Sequence, residues 1–382
     1  MSLSSPPNTS SVSLPTAPSA LPLPAGALDD GYEQLLVCND PEVGLLAIVC
    51  IDSTVLGPSD GGVRMFPYAT FADAIHDVTR LARAMTLKWA AAGEDRGGGK
   101  AVIVGDPRHD KSEARLRRFG QFVDSLGGQY WAGADAGTTL RDMEVVHTET
   151  RYVATLPVLA GGVGEIGPAT AAGALHAMRA CADRVWRERS LRGRRVALQG
   201  LGSCGRRALE QLVAEGAQVV VADVDGSAVH RARAQFGVEA VEPDEIYDVA
   251  CDVFAPFALG GVLTHDTLAR LDARVVAGSA NNVMAADDVE AAVVARGITY
   301  AVDFVANAGG AIKDADRFRP GGHDPDRVAA KLAAIGPRIE SVLDRAAATG
   351  VLPSAAARAL AAERLAAMAP LRARRARCAP TV

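Results

Sequence analysis

Apolar residues at Phe71, Ala74, Ile75, Val78, Leu81 and Ala82 recur at helical spacing and predict an amphipathic helix over 71–84. Upstream, the apolar run 44–51 reads as a strand leading into the turn-rich stretch Gly57-Pro58-Ser59-Asp60-Gly61-Gly62. Downstream, 101–104 is a short strand, and 113–126 a second helix ended by the pair Gly127-Gly128. The second half changes rhythm. Short apolar runs at 196–198, 219–222, 253–255 and 275–277 alternate with helical stretches, the pattern of βαβ units around a parallel sheet. Beyond Asp314 the chain is rich in Ala and Arg and reads as helix to its end. The fold class is α/β, with no internal repeat.

Gly200-Leu201-Gly202-Ser203-Cys204-Gly205 follows the strand at 196–198 and precedes a helix over 206–215 that Gly216 closes. In that context the GxGxxG spacing marks a dinucleotide-binding turn. Its glycines permit a tight turn and let a pyrophosphate reach the N–H groups of a helix N-terminus. The next strand ends at Asp223, 23 residues after Gly200, where a carboxylate accepts hydrogen bonds from ribose hydroxyls and repels a 2′-phosphate. The cofactor reading is therefore NAD rather than NADP. Asp225 is the other candidate for the ribose, and Cys204 reads as a small packing residue of the loop.

Composition narrows the class further. A chain of 382 residues with 49% hydrophobic and 22% charged residues has room for two cored domains. Its net charge of -5 gives no attraction to nucleic acid or to an anionic membrane, and the basic stretch 372–377 reads as a solvated helix end. No apolar run reaches the ~18 residues of a membrane span. The first 28 residues, rich in Ser and Pro, lack the basic start of a secretory signal and read as a disordered extension. Cys38, Cys50, Cys181, Cys204, Cys251 and Cys378 show no paired spacing, so neither a disulfide framework nor a metal site is expected, and the expected location is the cytoplasm.

Candidate chemistry in the first half rests on two lysines. None of the 7 histidines stands in a hydrolase or metalloprotease motif. Lysine is scarce in this Arg-rich chain, yet Lys88 closes a helical stretch in Met85-Thr86-Leu87-Lys88, and Lys100 follows Gly97-Gly98-Gly99. Only lysine of the two basic types can be tuned to release its proton near neutral pH. Taken by itself, Lys100 also fits an exposed residue of a flexible loop.

Six stretches occur in order: Gly61-Gly62-Val63-Arg64-Met65; Met85-Thr86-Leu87-Lys88; Gly97-Gly98-Gly99-Lys100-Ala101-Val102-Ile103; Gly133-Ala134-Asp135-Ala136-Gly137-Thr138; Gly278-Ser279-Ala280-Asn281-Asn282; and Asn307-Ala308-Gly309-Gly310. Over 44–315 the chain thus resembles the leucine/phenylalanine/valine branch of the glutamate dehydrogenase superfamily. The resemblance implies a two-domain enzyme: an extension over 1–28, a substrate-binding, catalytic and oligomerisation domain over 29–165, a Rossmann NAD-binding domain over 166–313, and helices over 314–382 returning to the first domain. It implies that Lys88, with Gly61 and Gly62, holds the α-carboxylate of an amino acid. Lys100 would activate water at the imine carbon, and Asp135 would exchange protons with the amino group. Asn281 and Asn282 would hold substrate and nicotinamide ribose, Thr170 the carboxamide, and Gly200, Gly202, Gly205 and Asp223 the rest of the cofactor. The implied reaction is oxidative deamination of a branched-chain or aromatic L-amino acid by a homo-oligomer, with no metal. Use of a donor-bearing amino acid such as tryptophan, or a silent NAD-binding regulator, are the alternatives. Two stretches depart from the pattern: Glu165-Ile166-Gly167-Pro168 near the expected hinge, and Phe257, where many relatives have Cys.

Specificity turns on Asp60 and Gly133. Asp60 precedes the glycine pair, where glutamate-specific members carry lysine and branched-chain enzymes an apolar residue; a carboxylate there disfavours glutamate. Gly133 resembles the phenylalanine-type pocket, where the missing methyl makes room for a ring. Asp60 either faces the side-chain pocket or turns toward Arg64 or solvent and caps the turn.

Overall fold

A computed structural model describes residues 31–378; the extension over 1–28 lies outside the described residues. In chain order the first half forms β1 (Gln34–Asp40), β2 (Leu45–Ser53), β3 (Ser59–Phe66), α1 (Phe71–Ala92), β4 (Gly97–Val104), α2 (Glu113–Ser125), β5 (Tyr130–Ala134) and α3 (Leu140–His147). The second half begins with α4 (Gly167–Trp186), β6 (Arg195–Gln199), α5 (Ser203–Glu215), β7 (Gln218–Ala222), α6 (Gly226–Phe236), β8 (Glu239–Ala240) and β9 (Val253–Pro256). It continues with α7 (His265–Arg270), β10 (Val275–Val276), α8 (Asp287–Ala295), β11 (Thr299–Tyr300), α9 (Asp303–Ala306) and α10 (Gly309–Asp316). The chain closes on α11 (Pro325–Ala333), α12 (Ile335–Thr349) and α13 (Pro353–Cys378).

The first sheet has the order β1-β2-β4-β3-β5. β1, β2 and β4 pair antiparallel, whereas β4, β3 and β5 run parallel. Alternation assigns its two faces. Ala47, Val49, Val63, Met65, Ala101, Ile103, Tyr130 and Ala132 pack with Leu116, Phe119, Val123, Met143 and Val146 of α2 and α3. On the other face Ile48, Cys50 and Val102 pack under Ala74, Ile75, Val78 and Ala82 of α1. The helix expected over 71–84 therefore buries the expected stripe, but it runs on to Ala92. Buried Trp89, Ala90 and Ala92 extend the stripe, and Gly93 ends it at φ 73°.

Two expected irregular stretches are strand instead. Ser59-Asp60-Gly61-Gly62 opens β3 rather than forming a turn, and Gly97-Gly98-Gly99-Lys100 is the start of β4 rather than a flexible loop. The glycines there serve close approach: a Cβ on Gly98 would lie 2.2 Å from the backbone N of Thr86, so α1 rests directly on the strand.

The second sheet is wholly parallel, in the order β11-β10-β9-β6-β7-β8, with its strand order reversing between β6 and β9. Such a reversal opens a crevice at the carboxyl ends of the strands. α4, opened by Gly167-Pro168, is buried along much of its length and packs on α5, α10 and α12. α13 returns to α1, where Arg364 donates to the Glu94 carbonyl at 2.8 Å, while α12 lies between α13 and α4. Among the described residues no helix is long and apolar enough to cross a membrane.

Candidate active site

Register places the polar chemistry of the first sheet on the α1 face. Asp60, Gly62 and Arg64 of β3 stand beside Gly98 and Val102 of β4 and beside Trp131 and Gly133 of β5, with Lys100 between Gly98 and Val102 and Asp135 just past the end of β5. The β3–β4 pairing breaks after Asp60/Gly98 and resumes at Val63/Ala101, so Gly61 and Gly62 drop out of that ladder. A Cβ on Gly61 would fall 1.8 Å from the Gly99 carbonyl, and one on Gly62 would be 3.0 Å from Lys100 Nζ. Both positions require glycine for this close packing.

Lys100 Nζ lies 2.8 Å from Asp135 Oδ2, and Arg64 Nε reaches the same oxygen at 3.2 Å. Asp77 anchors Arg64 at 2.9 Å, and the Tyr68 hydroxyl donates to Asp77. The Thr138 hydroxyl accepts from the Asp135 N–H and donates to the Val63 carbonyl, which pins the turn carrying the carboxylate. Burial pulls the Lys100 ammonium below its ordinary range, and Asp135 only partly restores it. Burial alone would raise the Asp135 carboxyl, but Lys100 and Arg64 outweigh it and hold the acid below its usual value. Lys100 is thus buried, not loop-exposed. Lys88, on the last turns of α1, is pulled to about 8 by burial, with Asp303 opposing and Lys100 adding to the fall.

These groups line one wall of a cleft of about 1030 Å³ between the two sheets. Thr170, Asn281, Asn282, Asp303, Asn307 and Gly310 line the other. The Thr170 hydroxyl donates to the Ile166 carbonyl, and Asn307 Nδ2 donates to Asn281 Oδ1 at 2.6 Å. Asn282 holds φ at 51°, a strained value for a residue with a side chain, at the tip of the loop after β10. The cleft unites Lys88, Lys100, Asp135, Gly61, Gly62, Gly133, Asp60, Thr170, Asn281 and Asn282.

Gly200, Gly202, Gly205 and Asp223 lie at the neighbouring end of the second sheet. Gly200 has φ 99°, and a Cβ on Gly205 would come within 1.9 Å of the Gly200 carbonyl. Phe257 packs behind this turn, its Cβ 3.2 Å from where a Gly205 Cβ would stand. Gly202 faces open space at the start of α5, with no side chain capping the helix. A hollow of about 450 Å³ beside it is lined by Leu201, Gly202, Ser203, Arg206, Asp223, Asp225 and Arg231. The uncapped helix end and the open glycine cradle fit a dinucleotide pyrophosphate. Asp223 accepts from the Leu201 and Asp225 N–H groups, whereas Asp225 caps α6 through Ser227. Cys204 belongs to the first turn of α5, not to a loop.

Of the two alternatives for Asp60, the structure has the residue lining the cleft. It does not turn to Arg64 or solvent: it is 4% exposed, and its Oδ2 lies 3.7 Å from Arg96 Nε. Sequence reasoning also missed Arg96, Asp303 and Asp314, and gave Asn307 no role beyond its place in a motif. Asp314 had a readable signal, since it follows Gly310 by four residues and so shares its face of α10.

Two family models match this chain, one described as Glu/Leu/Phe/Val dehydrogenase, dimerisation domain, over residues 33–152, the other as Glutamate/Leucine/Phenylalanine/Valine dehydrogenase over 224–369. Leucine dehydrogenase of Thermoactinomyces intermedius is 44% identical over 334 residues, 87% of this chain and 91% of that one. Valine dehydrogenase of Streptomyces virginiae is 44% identical over 338 residues, 88% and 94% of the two chains. The crystal structure of L-tryptophan dehydrogenase from Nostoc punctiforme superposes with a TM-score of 0.80 at 35% identity, covering 90% of this chain and 98% of the other. With likeness spanning both sheets and the cleft between them, the chain belongs to the glutamate/leucine/phenylalanine/valine dehydrogenase family, a family of amino-acid dehydrogenases.

Proposed function

We propose that the protein catalyses NAD-dependent oxidative deamination of an L-amino acid to its 2-oxo acid. Likeness to leucine and valine dehydrogenases supports a branched-chain substrate. The second reading, a donor-bearing substrate such as tryptophan, is favoured by the buried Asp60 and by likeness to an L-tryptophan dehydrogenase. The observation that carries the reading is the Lys100–Asp135 contact of 2.8 Å inside a cleft that also holds Lys88 and faces the glycine cradle.

Lys88 has no ion-pair partner among the described residues, which leaves its ammonium for the substrate carboxylate, beside the backbone of Gly61 and Gly62 where the β3–β4 ladder is interrupted. Asp135, held ionised, takes a proton from the substrate ammonium and so prepares the Cα–H bond for cleavage. NAD+, held by Gly200, Gly202, Gly205, Asp223, Thr170 and Asn281, supplies the hydride acceptor when bound. Lys100, with a lowered pKa, orients and deprotonates the water that adds to the substrate imine carbon, and Asp135 returns a proton to the departing amine. Asn282 positions the substrate. The balance is amino acid, NAD+ and water going to 2-oxo acid, ammonium, NADH and one proton. A silent NAD-binding regulator has no use for this proton-moving pair beside a free ammonium.

Asp223 supports NAD over NADP, because both neighbouring arginines are engaged elsewhere, Arg206 with Glu210 and Arg231 with Asp225. The proposal includes a cytoplasmic homo-oligomer, with 29–165 carrying substrate and assembly contacts, 166–313 the nucleotide, and 314–382 bracing the two.

The test is a kinetic comparison. Lys100→Ala and Asp135→Asn should each lower kcat by roughly a hundredfold or more, as removal of a proton-transfer group does, with amino-acid binding largely kept. Lys88→Ala should chiefly raise KM for the amino acid. Near-normal turnover in Lys100→Ala would end the proposed mechanism.

A further inference from the structure

The far end of the cleft is lined by two carboxylates, Asp60 on β3 and Asp314 on α10. They are 4% and 5% exposed, and Asp60 Oδ2 and Asp314 Oδ1 have no hydrogen-bond partner. An unpartnered buried carboxylate costs several kcal/mol, so two in one place call for a ligand group that completes them.

The cations nearby do not complete them. Arg96 approaches Asp60 at 3.7 Å without a hydrogen bond, because its guanidinium is stacked 4.0 Å from the Phe318 ring and 5.1 Å from the Trp131 ring. Arg317 also lies over the Phe318 ring, at 4.2 Å, and spends its terminal nitrogens on the carbonyls of Gly161 and Val153. Neither arginine lines the cleft. The arginines balance the two acids in charge without hydrogen-bonding to them, and both acids line the cleft. Burial accordingly raises both carboxyls, Asp314 well above its usual value, with Asp60 adding to that rise.

Room exists beside them. Gly133 lines the same cleft, one pair further along the β3–β5 register on the face that carries Asp60, and a Cβ there would meet nothing nearer than Thr155 at 3.6 Å. An aliphatic side chain filling this space would strip the last water from both acids and return no hydrogen bond. A γ-carboxylate would meet like charge. A side chain ending in N–H returns a donor to this place: an ammonium, with three N–H groups, serves both acids, and an indole, with one, serves either acid or is shared between them.

We propose that the cleft is specific for an α-amino acid whose side chain ends in an N–H donor, received jointly by Asp60 from the first sheet and Asp314 from the second half of the chain. This rests on the amino-acid dehydrogenase reading and names its substrate class. Because the two acids come from opposite walls, the donor also bridges the cleft, so the correct side chain helps to close it around the reacting centre.

The experiment compares shape-matched pairs, lysine against norleucine and tryptophan against phenylalanine, in kcat/KM and in calorimetric affinity. Wild type should favour the donor-bearing member of at least one pair by roughly tenfold or more, the scale of one hydrogen bond to a charged group. Asp60→Leu and Asp314→Val should each erase or reverse that ratio. Asp60→Asn separates the donors: an ammonium loses its preference, whereas an indole N–H keeps most of it. If Asp60→Leu does not fold, the wild-type ratios and Asp314→Val decide. Equal or better use of the apolar member in both pairs, or ratios unchanged in the variants, overturns the proposal. Absence of turnover with every amino acid would instead strike the dehydrogenase reading, and the calorimetric ranking would still judge the subsite.

Discussion

Lys88→Met separates a residue kept for function from one kept for stability. In the folded protein the Lys88 ammonium is drawn down from 10.5 to about 8, chiefly by burial. That difference corresponds to at most ~3 kcal/mol of penalty on the charged folded form. Lys88 is only partly buried, so solvent screening reduces the net figure to about 1–2 kcal/mol. The sign follows from proton counting: between the two values the unfolded chain binds more protons, so stability rises with pH from about 8 to 10.5. Below that window the penalty is present in full. Methionine removes the charge and keeps the stem, so at neutral pH the variant should unfold a few degrees higher than wild type, with the advantage shrinking in strongly alkaline buffer. The same change removes the carboxylate's partner, worth roughly 1.5–3 kcal/mol for a charged hydrogen bond, and should weaken amino-acid binding about ten- to hundredfold. Thermal unfolding followed by circular dichroism at two pH values, paired with KM, reads both. A variant that unfolds earlier while binding amino acid normally would refute the assignment.

Three further outcomes follow from the geometry. Gly98→Ala should destabilise the fold by roughly 3 kcal/mol or more, since its Cβ would strike the Thr86 backbone at 2.2 Å and neither element can retreat; denaturant unfolding checks it. Asp135→Asn should move the pH limb that reports Lys100 to lower pH, because Asp135 is the main influence holding that ammonium up, and a kcat/KM profile reads the shift. Asp223→Ser should narrow the preference for NAD over NADP about tenfold, because it removes the carboxylate that repels a 2′-phosphate, while Arg206 and Arg231 stay paired with Glu210 and Asp225; unchanged discrimination in steady-state kinetics would remove Asp223 from that role.

What the sequence made legible was local chemistry. The turn at Gly200, the carboxylate just past β7 and the apolar stripe of α1 follow from spacing along a single segment. What it concealed depends on strand pairing. Lys100 looked exposed because three glycines precede it, yet those glycines admit α1 and the neighbouring strands against β4, which buries the lysine. Asp60 looked like a turn residue because Pro58 and two glycines surround it; pairing with Gly98 and Trp131 turns it into the wall of a cleft. Its counterpart Asp314 lies in a helix more than two hundred positions away, and only the closing of the two halves brings the acids to one place.

Hydride origin tests the central claim most directly. L-amino acids carrying deuterium at Cα are incubated with the protein and NAD+, and the reduced cofactor is examined by mass spectrometry. If Lys88, Lys100 and Asp135 prepare Cα for oxidation, deuterium appears in the reduced nicotinamide, with ammonium released in equal amount, and Lys100→Ala abolishes both. Reduced cofactor without the label, or no reduction with any amino acid in the panel, would contradict it.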